Sequence, residues 1–343
     1  MAGTVIGGAG IVPADNTNLF AELTALTRRA YIPKVVVQLY YSSPTLMLLM
    51  GNAQRSAGGL NQITFPVQGQ SMVQGAWTGY SGSFNKPQVI PGTQAAAFNT
   101  SYFTVPVPLV MGEALLQSTE AIVPIIDVRM NDVFAVTNQQ MSSALFTNNA
   151  ANPLMPQSFI DAYDNGTNVA TYGGISRGAA NNAFWQGQFY PGAGAINTRQ
   201  AWASRLIQIT DRAGGEAPNC VMLSPADYAA LNETFIGTEQ VRVQPGNEFS
   251  MDTAIRSSFP NLNINGVPFF CDHWIPTGEA YVPNSKYLSL YLSEDAPFAF
   301  SGFYSTIPLM QIAQVGVMIV GYNLLCTKPV SGARLTGITG GAF

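Results

Sequence analysis

Apolar residues recur along this chain in two rhythms, and each predicts a different element. Within Pro124–Phe146 they fall at helical spacing: Ile125, Val128, Val133, Val136, Met141 and Leu145, with Ile126, Met130 and Phe134 widening the stripe. Pro124 stands where a first-turn proline is tolerated, Asp127 lies in the N-terminal turn, and no Gly or Pro interrupts the chain from Ile125 to Phe146. The spacing predicts a helix of roughly 35 Å at about 1.5 Å per residue, long enough to act as a beam. Shorter helices are predicted over Asn18–Arg29 (Leu19, Leu23, Leu26, capped by Thr17 or Asn18), after Ser43-Pro44 (Leu46, Leu48, Leu49, Met50) and over 199–213 (Trp202, Leu206, Ile209). The sharpest local signal is Ser224-Pro225-Ala226-Asp227. A serine N-cap, a proline at the first helical position and an acid three residues on open a helix to about Phe235.

The second rhythm has a period of two. Ile63, Phe65 and Val67 alternate within Asn61–Val67, and Phe98, Tyr102, Thr104 and Pro106 within Ala97–Val107. Between them runs a stretch rich in Gly, Gln, Ser and Pro that carries Trp77, Tyr80 and Phe84. Two strands about a polar tip make a long β-hairpin with too few apolar residues for its own core. Such edges are a liability in a monomer, so the hairpin is expected to lie across a neighbouring subunit. Pro218–Leu223 reads as a buried strand, Asn265-Gly266 as a hairpin turn, and Tyr287–Leu292 as a half-buried strand. Residues 147–195 are loop-rich. The fold class is α+β, with no internal repeat and no low-complexity linker.

Composition sharpens this picture. The 343 residues suggest about two domains. Apolar residues make up 47% of the chain and charged residues only 10%, where soluble proteins carry about 25%. Amides fill the gap: 24 Asn and 20 Gln stand against 19 acidic and 15 basic residues. So little charge leaves a free monomer poorly soluble and points to a surface covered by other subunits. An aromatic content of 11% argues against disorder. The net charge of −4 and the scattered Lys34, Lys86, Lys286 and Lys328 provide no basic run for phosphates. Val315–Cys326 is the most apolar run. It is interrupted by Gly316, Gly321 and Asn323 and falls short of the roughly 20 residues a bilayer span needs. It is therefore expected to be a buried strand. The N-terminus lacks the basic start of a signal peptide, and no membrane association is expected.

Catalytic chemistry finds no foothold. Cys220, Cys271 and Cys326 are widely spaced, form no metal pattern, and are expected to be reduced and buried. His273, the single histidine, stands in Cys271-Asp272-His273-Trp274, where adjacent strand residues would face opposite ways. It reads as a strand-end residue beside a turn. Without a second histidine or a GxSxG motif, serine-hydrolase chemistry has no base. Asp161 and Asp164 begin a calcium-like spacing that breaks off at once, and they read as a surface turn. Gly7-Gly8-Ala9-Gly10 lacks the lysine of a phosphate loop, and Gly173-Gly174 lacks the helix start of a dinucleotide site. No enzyme activity and no cofactor are expected.

Several segments, read in order, resemble the major capsid proteins of tailed double-stranded DNA bacteriophages, the Hong Kong 97-like fold. Tyr172-Gly173-Gly174-Ile175-Ser176-Arg177, followed by Phe184-Trp185, resembles a recurring stretch of one branch of that family, which often carries an acid where Ser176 stands. Cys220-Val-Met-Leu-Ser-Pro-Ala-Asp-Tyr228-Ala-Ala-Leu231 resembles its strand-to-helix step. Asn265-Gly-Val-Pro-Phe-Phe-Cys-Asp272, Pro276-Thr-Gly-Glu-Ala-Tyr-Val-Pro-Asn284, and Pro44–Met50 with Gly58-Gly59 are similar in the same way.

The resemblance implies an N-terminal arm (1–60), an extended hairpin loop (61–104), a peripheral domain with a long spine helix (105–217 and 311–343) and a β-rich axial domain (218–310). It implies a structural subunit that assembles into pentamers and hexamers of an icosahedral shell around DNA, without sequence-specific binding. Implied partners are other copies, a portal, and scaffold or decoration proteins. The implied location is the virion, assembled in the host cytoplasm. No charged coiled-coil segment precedes the arm, so a cleaved scaffolding segment is not expected. Subunit-interface candidates are Trp77, Tyr80, Phe84, Lys86, Arg177 and Trp185. In some capsid relatives a hairpin lysine forms an amide with a neighbour's asparagine, and Lys86 stands in that region as a solvated lysine. The alternative within the fold is an encapsulin-like cage that stores cargo, which generally has a shorter arm and hairpin.

Overall fold

The structure is a computed structural model that describes residues 43–56, 62–69, 71, 75, 77–80, 82, 92–110, 125–194, 196, 198–238, 262–306 and 313–338. The predicted helix at Asn18–Arg29, together with Phe84 and Lys86, lies outside the described residues. The chain divides into two compact units: 1–42, 102–141 and 295–321 form one, and 43–101, 142–294 and 322–343 the other.

The larger unit is built on a six-stranded mixed sheet in the order β7 (Gln188–Tyr190), β14 (Ala333–Thr336), β11 (Glu279–Val282), β8 (Val221–Leu223), β10 (Val267–Cys271) and β9 (Leu262–Ile264). Its register aligns one rung across five strands: Phe189, Arg334, Tyr281, Met222 and Phe270. Because side chains alternate along a strand, that rung faces one side and its neighbours the other. The opposite face carries Val221, Leu223, Phe269, Cys271, Ala280, Val282, Ala333 and Leu335. Two helices cover it, α4 (Arg199–Arg212) through Trp202, Leu206 and Ile209, and α5 (Pro225–Thr238) through Tyr228 and Leu231. On the first face, the Tyr281 ring meets Phe146 at 5.4 Å and Phe159 at 5.7 Å.

Strands β7 and β14 come from segments that the resemblance assigns to the peripheral part, yet both hydrogen-bond into the sheet that holds β8–β11. Local patterning is silent about such long-range pairing. The turn at Asn265-Gly266 forms as expected: both residues have positive φ, 54° and 82°, and join β9 to β10. Ser224 caps α5. Its hydroxyl accepts from Asp227 N at 3.1 Å and donates to Asp227 Oδ2 at 2.6 Å.

Helix α1 (Pro44–Gly51) is capped by Ser43 and held by Asp272, whose Oδ2 accepts from Ser43 Oγ at 2.5 Å and Thr45 N at 3.2 Å. His273 comes next, in an exposed turn, as the strand-end reading expects. All three cysteines are buried and free.

The hairpin exists, with a shifted second arm. β2 (Gln62–Gln68) pairs antiparallel with β3 (Thr93–Asn99), from Gln62↔Asn99 to Gln68↔Thr93. The predicted strand Ala97–Val107 is in fact two. Thr100 breaks it, and β4 (Ser101–Val110) joins another sheet, β1 (Gln54–Ser56)-β12 (Leu288–Ser305)-β13 (Ala313–Cys326)-β4. Alternation continues through the break, so periodicity alone merges the two strands. Strand β12 is far longer than the predicted Tyr287–Leu292, and β13 starts two residues before the predicted Val315–Cys326 and ends with it. The polar interruption in β13 has partners: buried Asn323 donates to Asn99 O at 2.7 Å and accepts from Gln157 N at 2.8 Å.

In the smaller unit, Thr306 N–H donates to Ala313 O at 2.9 Å, linking the facing ends of β12 and β13. Phe298 in β12 adopts φ 74°, a conformation that bulky residues rarely take. The predicted long helix is α2 (Ile125–Leu145), about 31 Å long. Its buried stripe is narrower than predicted. Val133, Thr137, Met141, Ala144 and Leu145 are buried, while Ile126 and Phe134 are exposed. Thr137 joins the stripe because its hydroxyl donates to Val133 O at 2.8 Å.

Candidate functional site

Two regions carry the interface candidates, and the structure treats them oppositely. Trp77 and Tyr80, on the segment between β2 and β3, are fully exposed. Neither side chain finds apolar cover among the described residues. Arg177 and Trp185 correct the expectation: they are 0% and 1% exposed and lie in the interior rather than on a subunit surface.

Their burial begins with a short helix. In α3 (Phe159–Tyr163), Ser158 and Asp161 form a reciprocal capping box. Asp161 Oδ2 accepts from Ser158 N at 2.8 Å, Ser158 Oγ at 2.8 Å and Asn149 N at 3.3 Å. Asp164 then gathers the adjoining turn, accepting backbone N–H groups from Gly166, Asn168 and Val169 at 2.8–3.0 Å. Both carboxylates are buried, which overturns the surface-turn reading. The residue types read as a polar turn, whereas the Oδ2 atoms of both residues in fact accept from backbone donors. The signal that could have revealed this is the capping-box spacing Ser158-x-x-Asp161.

Next comes a tight hairpin, β5 (Thr171–Tyr172) and β6 (Ile175–Ser176), turned by Gly173 and Gly174 at positive φ. Arg177 leaves β6 and points inward. Its Nη1 and Nη2 donate to the carbonyls of Asp161 (2.7 Å) and Ala162 (2.8 Å) near the end of α3, and its Nε to Trp185 O (3.1 Å). The guanidinium lies 4.8 Å from the Tyr172 ring centroid. Burial pulls Arg177 below the usual arginine value, and Tyr172, Asp164 and Asp161 oppose that pull. Among the described residues Arg177 forms no ion pair, and its three donors go to carbonyls, so the arrangement is a structural tie between backbone segments.

On this tie rests the root of the β2–β3 hairpin. Phe65 stacks on Phe98 at 5.8 Å, Phe98 meets Tyr172 edge-on at 4.9 Å, and Tyr172 packs on Trp185 at 5.7 Å. Ala97 N donates to Gly173 O at 2.9 Å, and Gln94 Nε2 to Asn182 Oδ1 at 2.8 Å. A Cβ on Gly173 would sit 2.5 Å from the Phe98 ring. The segment carrying the capsid resemblance is thus the seat of the hairpin. Its root is fixed to its own chain while Trp77 and Tyr80 remain bare. Nothing in local periodicity marks Phe65 or Phe98 as partners of Tyr172.

Chemistry is otherwise sparse. Among the described residues no group of three or more His, Cys, Asp or Glu could hold a metal ion. Burial pushes the Cys220 thiol up to about 12 and Cys271 to about 11, which keeps both protonated and unreactive. Among the described residues, no helix is long and apolar enough to cross a membrane.

No protein-family model and no curated protein matches the chain in sequence. Solved structures do match in fold. The capsid subunit of cyanophage A-1(L) superposes with a TM-score of 0.69 at 15% identity, covering 92% of this chain and 98% of that one. The capsid of a native gene-transfer-agent (GTA) particle gives 0.60 at 9% identity, over 91% and 96%. The SrpI encapsulin of Synechococcus elongatus gives 0.59 at 11% identity, over 94% and 96%. The fold is therefore the Hong Kong 97-like α+β fold of shell-forming proteins.

Proposed function

We propose that the chain is the structural, non-enzymatic subunit of an icosahedral bacteriophage head, assembling into pentamers and hexamers around packaged double-stranded DNA. The observation that carries this reading is the contrast along the hairpin, a root seated on Tyr172, Arg177 and Trp185 and a tip whose Trp77 and Tyr80 have no cover. A segment held this way is pre-oriented to reach a second subunit and gains burial only there. The capsid fold and the shortage of surface charge support it. The division into arm, hairpin, peripheral and axial parts belongs to the same proposal, with the six-stranded sheet shared between the last two. Portal, scaffold or decoration proteins are its further partners, and the virion is its location.

A second reading, a cargo-storing cage, is favoured by the encapsulin likeness. Electron microscopy of the purified protein tests both. Closed shells are expected, and monomers under all assembly conditions would sink both readings. Shells that copurify with one enzyme instead of appearing within DNA-filled particles would favour the cage.

A further inference from the structure

A proline stands in the middle of the outer edge of the β2–β3 hairpin. The bond from Gly69 N to Gly92 O, 3.0 Å, continues the register of the two strands by one pair. Bonded and non-bonded pairs alternate in an antiparallel ladder. Val67–Gln94, Phe65–Ala96 and Ile63–Phe98 therefore exchange the bonds, and Pro66–Ala95 and Thr64–Ala97 fall between them. On β3 the outward side is engaged, because Ala97 N donates to Gly173 O at 2.9 Å. On β2 the backbones of Thr64 and Pro66 turn away from β3, and among the described residues no strand joins them there. Pro66 has no N–H, so at this position it takes nothing from the ladder and removes one donor from the outer row.

The ribbon has little else to guard that edge. Gln62–Gln68 and Thr93–Asn99 contain no charged residue, and their seven pairs follow one another without a bulge. Charge, bulges and proline are the means by which open sheet edges are kept from pairing, and of these three the two strands carry only the proline. Without it, Ile63–Gln68 would be an uncharged run of β-branched and aromatic residues. That is the composition of segments that stack on copies of themselves.

We infer that Pro66 closes the outer edge of the hairpin to strand addition by a second copy, so that copies meet through side chains such as Trp77 and Tyr80 and not through a shared ladder. The inference rests on the shell reading and deepens it by naming the residue that selects the mode of contact. A strand laid on β2 would set its backbone against Thr64 and Pro66. At Pro66 its carbonyl would meet the pyrrolidine ring and find no donor. The distinction matters for closure. Strand addition from copy to copy is a head-to-tail contact that runs on as a filament unless its rotation closes. Blocking it leaves the subunit to the contacts of the shell.

The test uses three variants of the full chain. Pro66→Thr restores the N–H with an uncharged, β-forming side chain. It is expected to raise the pelletable, thioflavin-T-positive fraction at least about fivefold and to lower the yield of closed shells. Pro66→Lys restores the same N–H but guards the edge with charge, and should stay within about twofold of the parent in both measurements. Thr64→Pro removes a second outward N–H and leaves the β2–β3 bonds in place, so parental shell yield is expected. Circular dichroism confirms folding, and if Pro66→Thr does not fold, Thr64→Pro is read instead. Parental behaviour of a folded Pro66→Thr overturns the inference. So does equal aggregation of Pro66→Lys, since the proline would then act by stiffening the chain. Loss of shells by a folded Thr64→Pro also overturns it, because the shell would then use strand addition at this edge. A parent that forms no shells sinks the shell reading itself, whereas parental shells with an indifferent Pro66→Thr sink only the role of Pro66.

Discussion

Arg177 fixes the Trp185 backbone in the interior, and Trp185 in turn fixes that of Tyr172. The arginine Nε–H donates to the Trp185 carbonyl at 3.1 Å, and the Trp185 indole N–H donates to the Tyr172 carbonyl at 2.9 Å. Three backbone segments, α3, the β5–β6 hairpin and the turn ending at Trp185, are thereby joined through one guanidinium.

Replacing that guanidinium is expected to be costly. Arg177→Ala strands three buried carbonyls, and the loss should be on the order of 3 kcal/mol or more in urea unfolding. Arg177→Lys keeps the charge but not the planar fork, so it should rescue less than half of that loss. Parental stability for the lysine variant would show that charge alone suffices.

Gly173 carries the hairpin root. At φ +57° any side chain is strained, and a Cβ there would meet the Phe98 ring at 2.5 Å. Gly173→Ala is expected to cost about 2 kcal/mol and to raise protease sensitivity between residues 69 and 93. Limited proteolysis with mass spectrometry reads the second effect, and an unchanged cleavage pattern would separate the root from the tip.

Sequence patterning revealed those elements that local chemistry dictates. The Ser224-Pro225 helix start, the Asn265-Gly266 turn and the Ser43-Pro44 helix each depend on a few neighbouring residues, and all three formed. Arg177 and Trp185 were misplaced because burial of an arginine depends on carbonyls that only tertiary structure brings together. The same holds for Asn323, which looks like a break in an apolar run until Asn99 and Gln157 arrive. Trp77 and Tyr80 were legible as exposed because the segment around them offers nothing to cover them.

Ser224 both caps α5 and donates to Asp227, whose Oδ2 also accepts from Gly278 N at 2.8 Å. Ser224→Ala should cost about 1 kcal/mol in denaturant, with shells of normal form from the protein that remains folded. A variant as stable as the parent would show the cap to be energetically idle.

Deleting residues 69–93 removes the tip and leaves the packed root residues Phe65 and Phe98 in place. The variant should keep its far-ultraviolet circular dichroism yet fail to close shells, because assembly-linked stability is lost with the contact. Parental shells with parental thermal stability on size-exclusion chromatography would make the tip dispensable.

Burial pushes the Asp161 carboxyl above its ordinary 3.8, against the lowering effect of hydrogen bonds from Ser158 and Asn149 and of Arg177. The folded state thus holds this proton at pH values where the unfolded chain has released it. The stability from this group is greatest below both values and falls as pH rises from 3.8 through the folded value. Asp161→Asn should remove that component, so urea midpoints of parent and variant, compared from about pH 4 to about pH 7, should converge or cross. A parent that gains stability relative to the variant as pH rises would mean the ionised form is favoured.

Strand β14, near the end of the chain, is an inner strand of the six-stranded sheet, inserted between β7 and β11. During synthesis β7 and β11 both leave the ribosome before the strand that joins them. A nascent chain that stops before residue 333 therefore leaves β7 without a partner beside the four paired strands β11, β8, β10 and β9. The hairpin tip, made early, is then presented on a body that has not yet closed. Synthesis through residue 336 becomes the event that seats β7 on the sheet, and a product that stops short of it lacks that edge by topology alone.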